Sequence, residues 1–270
     1  MLRSIAPFAT ELFAHRDLLW QFTVRSVELR HKGSHLGLFW SFLNPLLMLG
    51  LYVFVFSGIF GGSFGAVPHE TKFDYALGLL VGLALFGFVA ETIAVSSATI
   101  VGNPNFVKKV VFPLEVLPAA NVGAAGVHLC VSLGLILIGT VTLGGGLTWS
   151  ALWVPVIILP LTLLALGLAW GISAVGVFFR DLGPILQFAT TALMFASAIF
   201  YPPSKIPVEA WSVLQFNPLL LAVDLARDAL LWNLPIRPLP ILYLYLVSTL
   251  VCYLGHGAFR KLRPGFADVL

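Results

Sequence analysis

Six long stretches of this chain carry almost no charge, near residues 36–61, 75–101, 116–143, 149–178, 183–201 and 239–258. A helix needs about 20 apolar residues to cross the roughly 30 Å hydrocarbon core of a bilayer. Only 10% of the residues are charged, against roughly 25% in soluble domains, while 59% are hydrophobic and the mean hydropathy is +0.97. So few charges cannot clothe a water-soluble surface, so the apolar surface must face lipid. Inside lipid each backbone polar group needs an internal partner, which a helix supplies from its own chain. The sequence therefore predicts an all-α integral membrane protein with six transmembrane helices, as a single domain over 1–270.

Composition also excludes several classes. Cys130 and Cys252 both lie in apolar runs and form neither a disulfide framework nor a metal spacing. The net charge of +3 is too small to suggest nucleic acid as a partner. The first apolar run is broken by Arg16, Asp17 and Arg25, unlike the compact core of a signal peptide, so the N-terminus is expected to be retained.

The distribution of Lys and Arg sets the orientation. With six crossings, Arg3, Arg16, Arg25, Arg30, Lys32, Lys108, Lys109, Arg180, Arg260, Lys261 and Arg263 share one side, leaving Lys72, Lys205, Arg227 and Arg237 on the other. The excess of positive charge makes the first side cytoplasmic, with both termini there. The segment 212–232 is apolar but holds Asn217-Pro218, Asp224, Arg227 and Asp228. Each charge at mid-bilayer costs about 2.5–3.5 kcal/mol on insertion scales. A seventh crossing there would also move the Arg260–Arg263 cluster outside. Residues 202–238 therefore read as an external region of short re-entrant helices before the last span, a form of backbone that survives only where protein or water covers it.

Residues 10–32 have a different pattern. Gln21, Arg25, Glu28 and Lys32 fall at i, i+4, i+7 and i+11, and Leu12, Phe13, Leu18, Leu19, Trp20, Phe22, Val24, Val27 and Leu29 cover the remainder. This suits an amphipathic helix lying in the cytoplasmic interface; a tail helix packed on the bundle is the alternative. Leu43-Asn44-Pro45 either kinks the first span or caps its start. The loop 102–115 runs GNPNFVKKVVFPLE. Asn103-Pro104-Asn105 can start a helix and Pro113 can stop it, leaving about two turns with Phe106, Lys108 and Lys109. That is either a rigid cytosolic element able to receive force or a basic loop that only sets orientation. Arg180-Asp181 either pairs with other helix ends or marks a stop. Glu91 is a carboxylate inside the second span, a functional candidate by default, whereas His128 reads as a packing residue.

No GxSxG, HExxH, zinc-ligand pairing or GxxxxGK[ST] phosphate loop is present. The chain is therefore expected to be no enzyme, with no catalytic residues, no metal and no cofactor of its own.

In their order and spacing, RHKGSHLGLFWSFLNPLLMLGLYVFVF (30–56), NPNFVKKVVFPLEVLP (103–118), VFFRDLGPIL (177–186), IFYPPSKIP (199–207) and FNPLLLAVDLARDALL (216–231) span nearly the whole chain. They resemble the permease subunit of bacterial polysaccharide-export ABC transporters, the O-antigen and teichoic-acid exporter family. The resemblance implies a homodimer in the bacterial inner membrane, working with two copies of a separate ABC-type ATPase that binds ATP and Mg. The cargo it implies is lipid-linked polysaccharide, an undecaprenyl pyrophosphate glycan such as O-antigen, moved outward from the cytoplasmic side. Teichoic acid and capsular polysaccharide are alternatives within the family, and a proton-coupled or facilitative small-solute carrier is the alternative outside it. The resemblance further implies an ATPase-coupling helix at Asn103, Pro104, Asn105, Phe106, Lys108, Lys109 and Pro113. It implies an external gate including Tyr201, Pro202, Asn217, Pro218, Asp224 and Arg227. Arg25, Arg30 and Lys32 are then placed to attract the lipid headgroup, and Phe54, Phe86, Phe88, Phe195 and Phe200 are candidates for the glycan path.

Overall fold

A computed structural model describes residues 7–31, 37–59, 61–68, 70–108, 112–142, 146–179 and 181–270. Among them every regular element is helical. In order these are α1 (Pro7–Ala14), α2 (Arg16–His31), α3 (Trp40–Tyr52), α4 (Lys72–Ser96), α5 (Pro104–Lys108), α6 (Val116–Thr142), α7 (Val154–Phe178), α8 (Leu182–Ala196), α9 (Val208–Leu214), α10 (Pro218–Arg227), α11 (Pro238–Leu262) and α12 (Phe266–Val269). Wider π-helical turns extend α3 over Val53–Ile59 and follow α10 over Asp228–Trp232. The chain is a multi-pass membrane protein.

Local chemistry explains several boundaries. Thr71 and Asp74 form a reciprocal cap at the start of α4, with Thr71 N donating to Asp74 Oδ2 at 2.9 Å and Asp74 N to Thr71 Oγ1 at 3.2 Å. Pro104, Pro218 and Pro238 open α5, α10 and α11, where a missing N–H costs nothing. Pro45 lies in the interior of α3, so Asn44-Pro45 interrupts that helix and does not cap it.

Among the described residues, five stretches are long and apolar enough to cross a membrane: Phe42–Ile59, Lys72–Ser96, Val116–Thr142, Trp149–Phe178 and Pro238–Val269. The expected span 183–201 is instead the 15-residue α8. At roughly 1.5 Å per residue α8 covers about 22 Å, short of the full hydrocarbon core. It stops where Ala198 takes a positive φ of 50°.

The core lies where α4, α6, α7 and α10 meet, built from Leu80, Leu85, Val122, Ile136, Leu161, Leu164 and Val223. Beside it α11 runs against α7. Its inward stripe is Leu244, Ser248, Cys252, Gly255 and Phe259, and its outward stripe is Leu239, Leu242, Leu246, Leu250 and Leu254. Those two stripes at helical spacing mark a protein face and a lipid face. Gly167 and Gly255 let the two backbones touch. A Cβ at Gly167 would meet the main chain of Val251 and Cys252, and one at Gly255 the main chain of Gly167. Small residues allow such close approach in lipid, where no hydrophobic force drives helices together. Trp170 and Ser173 add cross-helix hydrogen bonds, donating to the carbonyls of Glu115 at 3.0 Å and Ser96 at 2.9 Å.

Many of the described polar contacts gather at two poles. One joins α10 to the start of α4 and the end of α8, and also joins Ser150 to Asn233, where the hydroxyl donates at 2.7 Å. The other joins α1, α2, α5, α11 and α12.

Candidate functional site

At the pole that joins α1, α2, α5, α11 and α12, Phe22 of α2, Phe106 of α5 and Phe112 form an aromatic cluster with ring centroids 4.7–5.5 Å apart. Phe106 and Val107 also pack on the cluster containing Phe259, Leu262 and Phe266. The short α5 is therefore seated between the N-terminal and C-terminal helices. Asn103 precedes it and donates its side-chain amide to Thr99 O at 2.9 Å. Pro104, Asn105 and Lys108 are exposed, while Pro113 is half-buried. Lys109 lies outside the described residues.

A cavity of about 410 Å³ at this pole has Glu11, His15, His256 and Arg260 in its wall. Glu11 lies 3.3 Å from His256 Nε2 and 3.8 Å from Arg260. Glu115, mostly buried, accepts from Arg263 Nη1 at 2.7 Å. Ion pairs therefore fasten α1 and the α12 end to the bundle.

The helix expected at the interface packs on the bundle along one side. Thr23 is buried against α6, and Ser26 Oγ lies 3.4 Å from Asn121 Oδ1. Phe13, Trp20 and Leu29 stay exposed on the other side, as bulky groups suited to lipid. Arg25 is exposed and lines a crevice of about 210 Å³ with Ser26, Thr99, Asn103 and Asn121. Lys32 lies outside the described residues, and Arg30 is described only in its backbone. Of Arg180-Asp181, Arg180 is outside the described residues and Asp181 is exposed before α8.

At the opposite pole Arg227 is 1% exposed. Its guanidinium donates to the carbonyls of Gly78 at 2.9 Å, Ala198 at 2.9 Å and Ile199 at 2.6 Å, and lies 4.1 Å over the ring of Phe64. Bonds from a charged donor to several backbone acceptors are strong ones. Gly82 leaves room for it, since a Cβ there would stand 2.8 Å from Nη2. Asn217 caps α10, accepting from Leu219 N at 3.0 Å, and donates to Ala196 O and Ser197 Oγ at 3.0 Å each. Asn217 thus holds the last carbonyl of α8, where a helix leaves acceptors unpaired, and Arg227 holds the turn that follows. Tyr201 OH donates to Phe195 O, and Pro202 is buried.

Arg237 bridges Asp224 at 2.5 Å and Asp228 at 2.9 Å. Burial and the neighbouring Asp224 push the Asp228 carboxyl up to about 6, against the pull of Arg237. These groups line an outer cavity of about 480 Å³ with Trp232.

Between the poles, a cavity of about 520 Å³ separates α3 from α4 and α6. Phe86 and Phe88 line it, with Tyr52 and Asn44. Glu91 Oε2 and His128 Nδ1 meet there at 3.0 Å. The sequence marked Glu91 but not its partner. Phe54 and Phe195 are exposed, whereas Phe200 is buried and stacked on Phe56 with centroids 4.5 Å apart.

Comparison with known proteins places this geometry in context. The sequence profile of the family described as ABC-2 type transporter matches residues 17–231. The chain is 28% identical over 255 residues to the O-antigen export system permease protein RfbA of Klebsiella pneumoniae, covering 94% of this chain and 95% of that one. It is 28% identical over 262 residues to the protein of that name from Myxococcus xanthus, covering 96% and 97%. It is 26% identical over 251 residues to the polysialic acid transport protein KpsM of Escherichia coli, covering 88% and 90%.

Proposed function

Since the chain belongs to the ABC-2 type transporter family, we propose that it is the permease subunit of an ATP-driven exporter that moves lipid-linked polysaccharide outward across the bacterial inner membrane. It works as a homodimer, with both termini cytoplasmic, above two copies of a separate ATPase that carries ATP and Mg. Relatives along nearly the full length bear the names of O-antigen and polysialic acid transporters. O-antigen is the cargo class this reading favours, with capsule and teichoic acid as variants of it.

The observation that carries the reading is the seat of α5. A five-residue helix with an exposed Lys108 is wedged by Phe106 between α2 and the α11–α12 end. Force on α5 passes through Phe22 to α2, and from α2 to α6 along Thr23 and Ser26. ATP-driven closure of the partner subunits pushes on this foothold and shifts the bundles around the conduit. Arg25, beside its polar crevice, attracts the pyrophosphate link of the lipid carrier. Asn217, Pro218, Asp224 and Arg227 belong to the outer gate, with Tyr201 and Pro202 beside them.

The test is Phe106→Ala in the complex of permease and ATPase. Hydrolysis is expected to continue while export falls at least tenfold; export at the normal rate removes the coupling role. Glu91 with His128 supplies a titratable pair inside the bundle, which is what a proton-coupled solute carrier needs. Transport by the purified chain with no ATPase present would favour that second reading.

A further inference from the structure

Resting on the exporter reading, the central cavity bears on which glycans the conduit accepts. Its volume of about 520 Å³ falls in the range of small-molecule sites, which combine apolar walls with a few converging polar groups. Here Tyr52, Phe86 and Phe88 supply aromatic surface, and three polar side chains converge from three helices: Asn44 of α3, Glu91 of α4 and His128 of α6. Glu91 and His128 touch at 3.0 Å, and each keeps about a quarter of its side chain open, 24% and 26%. The pair therefore reaches the cavity and is not sealed in the core. Holding such a pair against acyl chains is unfavourable, so the space suits polar contents. A sugar ring meets both halves of this wall. Its C–H faces lie on aromatic rings, and its hydroxyls bond to a carboxylate, an imidazole and an amide.

The charge of the wall narrows the class. Among the described residues lining the cavity, none is Lys or Arg. The Glu91–His128 contact brings a carboxylate and an imidazole to this wall. A glycan bearing carboxylates or phosphates on its repeats would leave water here with no Lys or Arg among those residues to meet it. It would also face Glu91 in a low-dielectric setting, where like charges repel far more than in water. We infer that Asn44, Glu91 and His128 form a sugar subsite in the conduit wall that passes neutral glycan repeats and discriminates against polyanionic ones.

The experiment compares two end-labelled probes of equal length, maltoheptaose and hepta-galacturonate, by fluorescence anisotropy on the chain reconstituted in neutral-lipid nanodiscs, with and without the ATPase. The neutral probe is expected to bind at least tenfold more tightly. Glu91→Gln, similar in shape, should bring the two within threefold, and Glu91→Lys should reverse the preference, which a merely structural role would not do. His128→Gln should weaken the neutral probe about tenfold while the protein stays monodisperse. Equal binding of both probes by the unaltered chain, an unchanged ratio in Glu91→Gln, or no binding of either overturns the inference. Failure of the exporter reading is distinct: no ATPase would associate, whatever the probe ratio.

Discussion

The α7–α11 pair and the helices α3 and α8 draw on the same apolar residues but are held in opposite ways. In the pair, main chains touch at Gly167 and Gly255, and Trp170, Ala174 and Phe259 fill the remaining space with no exposure. In α8 no described side chain is fully buried, and the span Phe42–Ile59 buries none either. Instead α8 is pinned at one end, where Asn217 holds the carbonyl of Ala196 and Arg227 those of Ala198 and Ile199 in the turn that follows. Apolar composition puts a helix into the membrane, but small residues and end-on hydrogen bonds decide how firmly it is seated there. The pair is a frame. The loosely seated helices border the central cavity, and in the proposed exporter they are the ones to shift under a push or to be covered by a second copy.

The sharpest break of that contrast is at the pin. Arg227→Met removes the three buried hydrogen bonds to the carbonyls of Gly78, Ala198 and Ile199. A loss of about 4 kcal/mol is expected, read as a fall in Tm in detergent. Faster hydrogen exchange should appear in α8 before α7; loosening of α7 first would refute the pinning.

Next comes the frame itself. Gly255→Leu forces a side chain into the main chain of Gly167, with an expected loss of about 3 kcal/mol. Gly183→Leu on α8 meets nothing within 4 Å and should change Tm little. Equal effects of the two would erase the distinction.

A smaller effect is expected from pH at the outer cavity. Asp228 in the folded protein titrates near 6, above its ordinary 3.8, so the folded state holds this proton more tightly than the unfolded one. Its contribution to stability therefore falls as pH rises from about 4 to about 6 and is recovered as pH drops through that window. Relative to Asp228→Asn, the unaltered chain should gain about 1 kcal/mol between pH 7 and pH 4.5, a value discounted for the half-exposed Arg237. A relative loss on acidification would contradict the assignment. Smallest is Phe188→Ala on the open face of α8, where Phe188 is 76% exposed. Subunit Tm should move by no more than about 0.5 kcal/mol equivalent. Any larger change should appear in the dimer fraction by light scattering.

Much of this architecture was legible in the sequence. Crossing length and Lys/Arg bias depend only on composition along the chain, and the turn chemistry around Asn103-Pro104 and Asn217-Pro218 is local. The partners of long-range contacts were not legible. Glu91 and His128 lie 37 residues apart on helices that are apolar nearly all round, and hydropathy does not fix how such helices rotate against one another. Arg227 was read as an outer charge at a gate. Its burial depends on carbonyls 28 to 149 residues away and on the space at Gly82. The aromatic candidates separate for the same reason. Phe86 and Phe88 line the central cavity, while Phe200 packs on Phe56, and only helix rotation distinguishes them.

The side of the membrane on which α5 sits is the claim everything else depends on, and it is directly measurable. In a chain with Cys130 and Cys252 replaced by Ala, a single cysteine at the exposed Asn105 is treated with a membrane-impermeant maleimide. Labelling is expected in inside-out vesicles and not in intact spheroplasts. Labelling in intact spheroplasts would put the foothold outside and contradict the account.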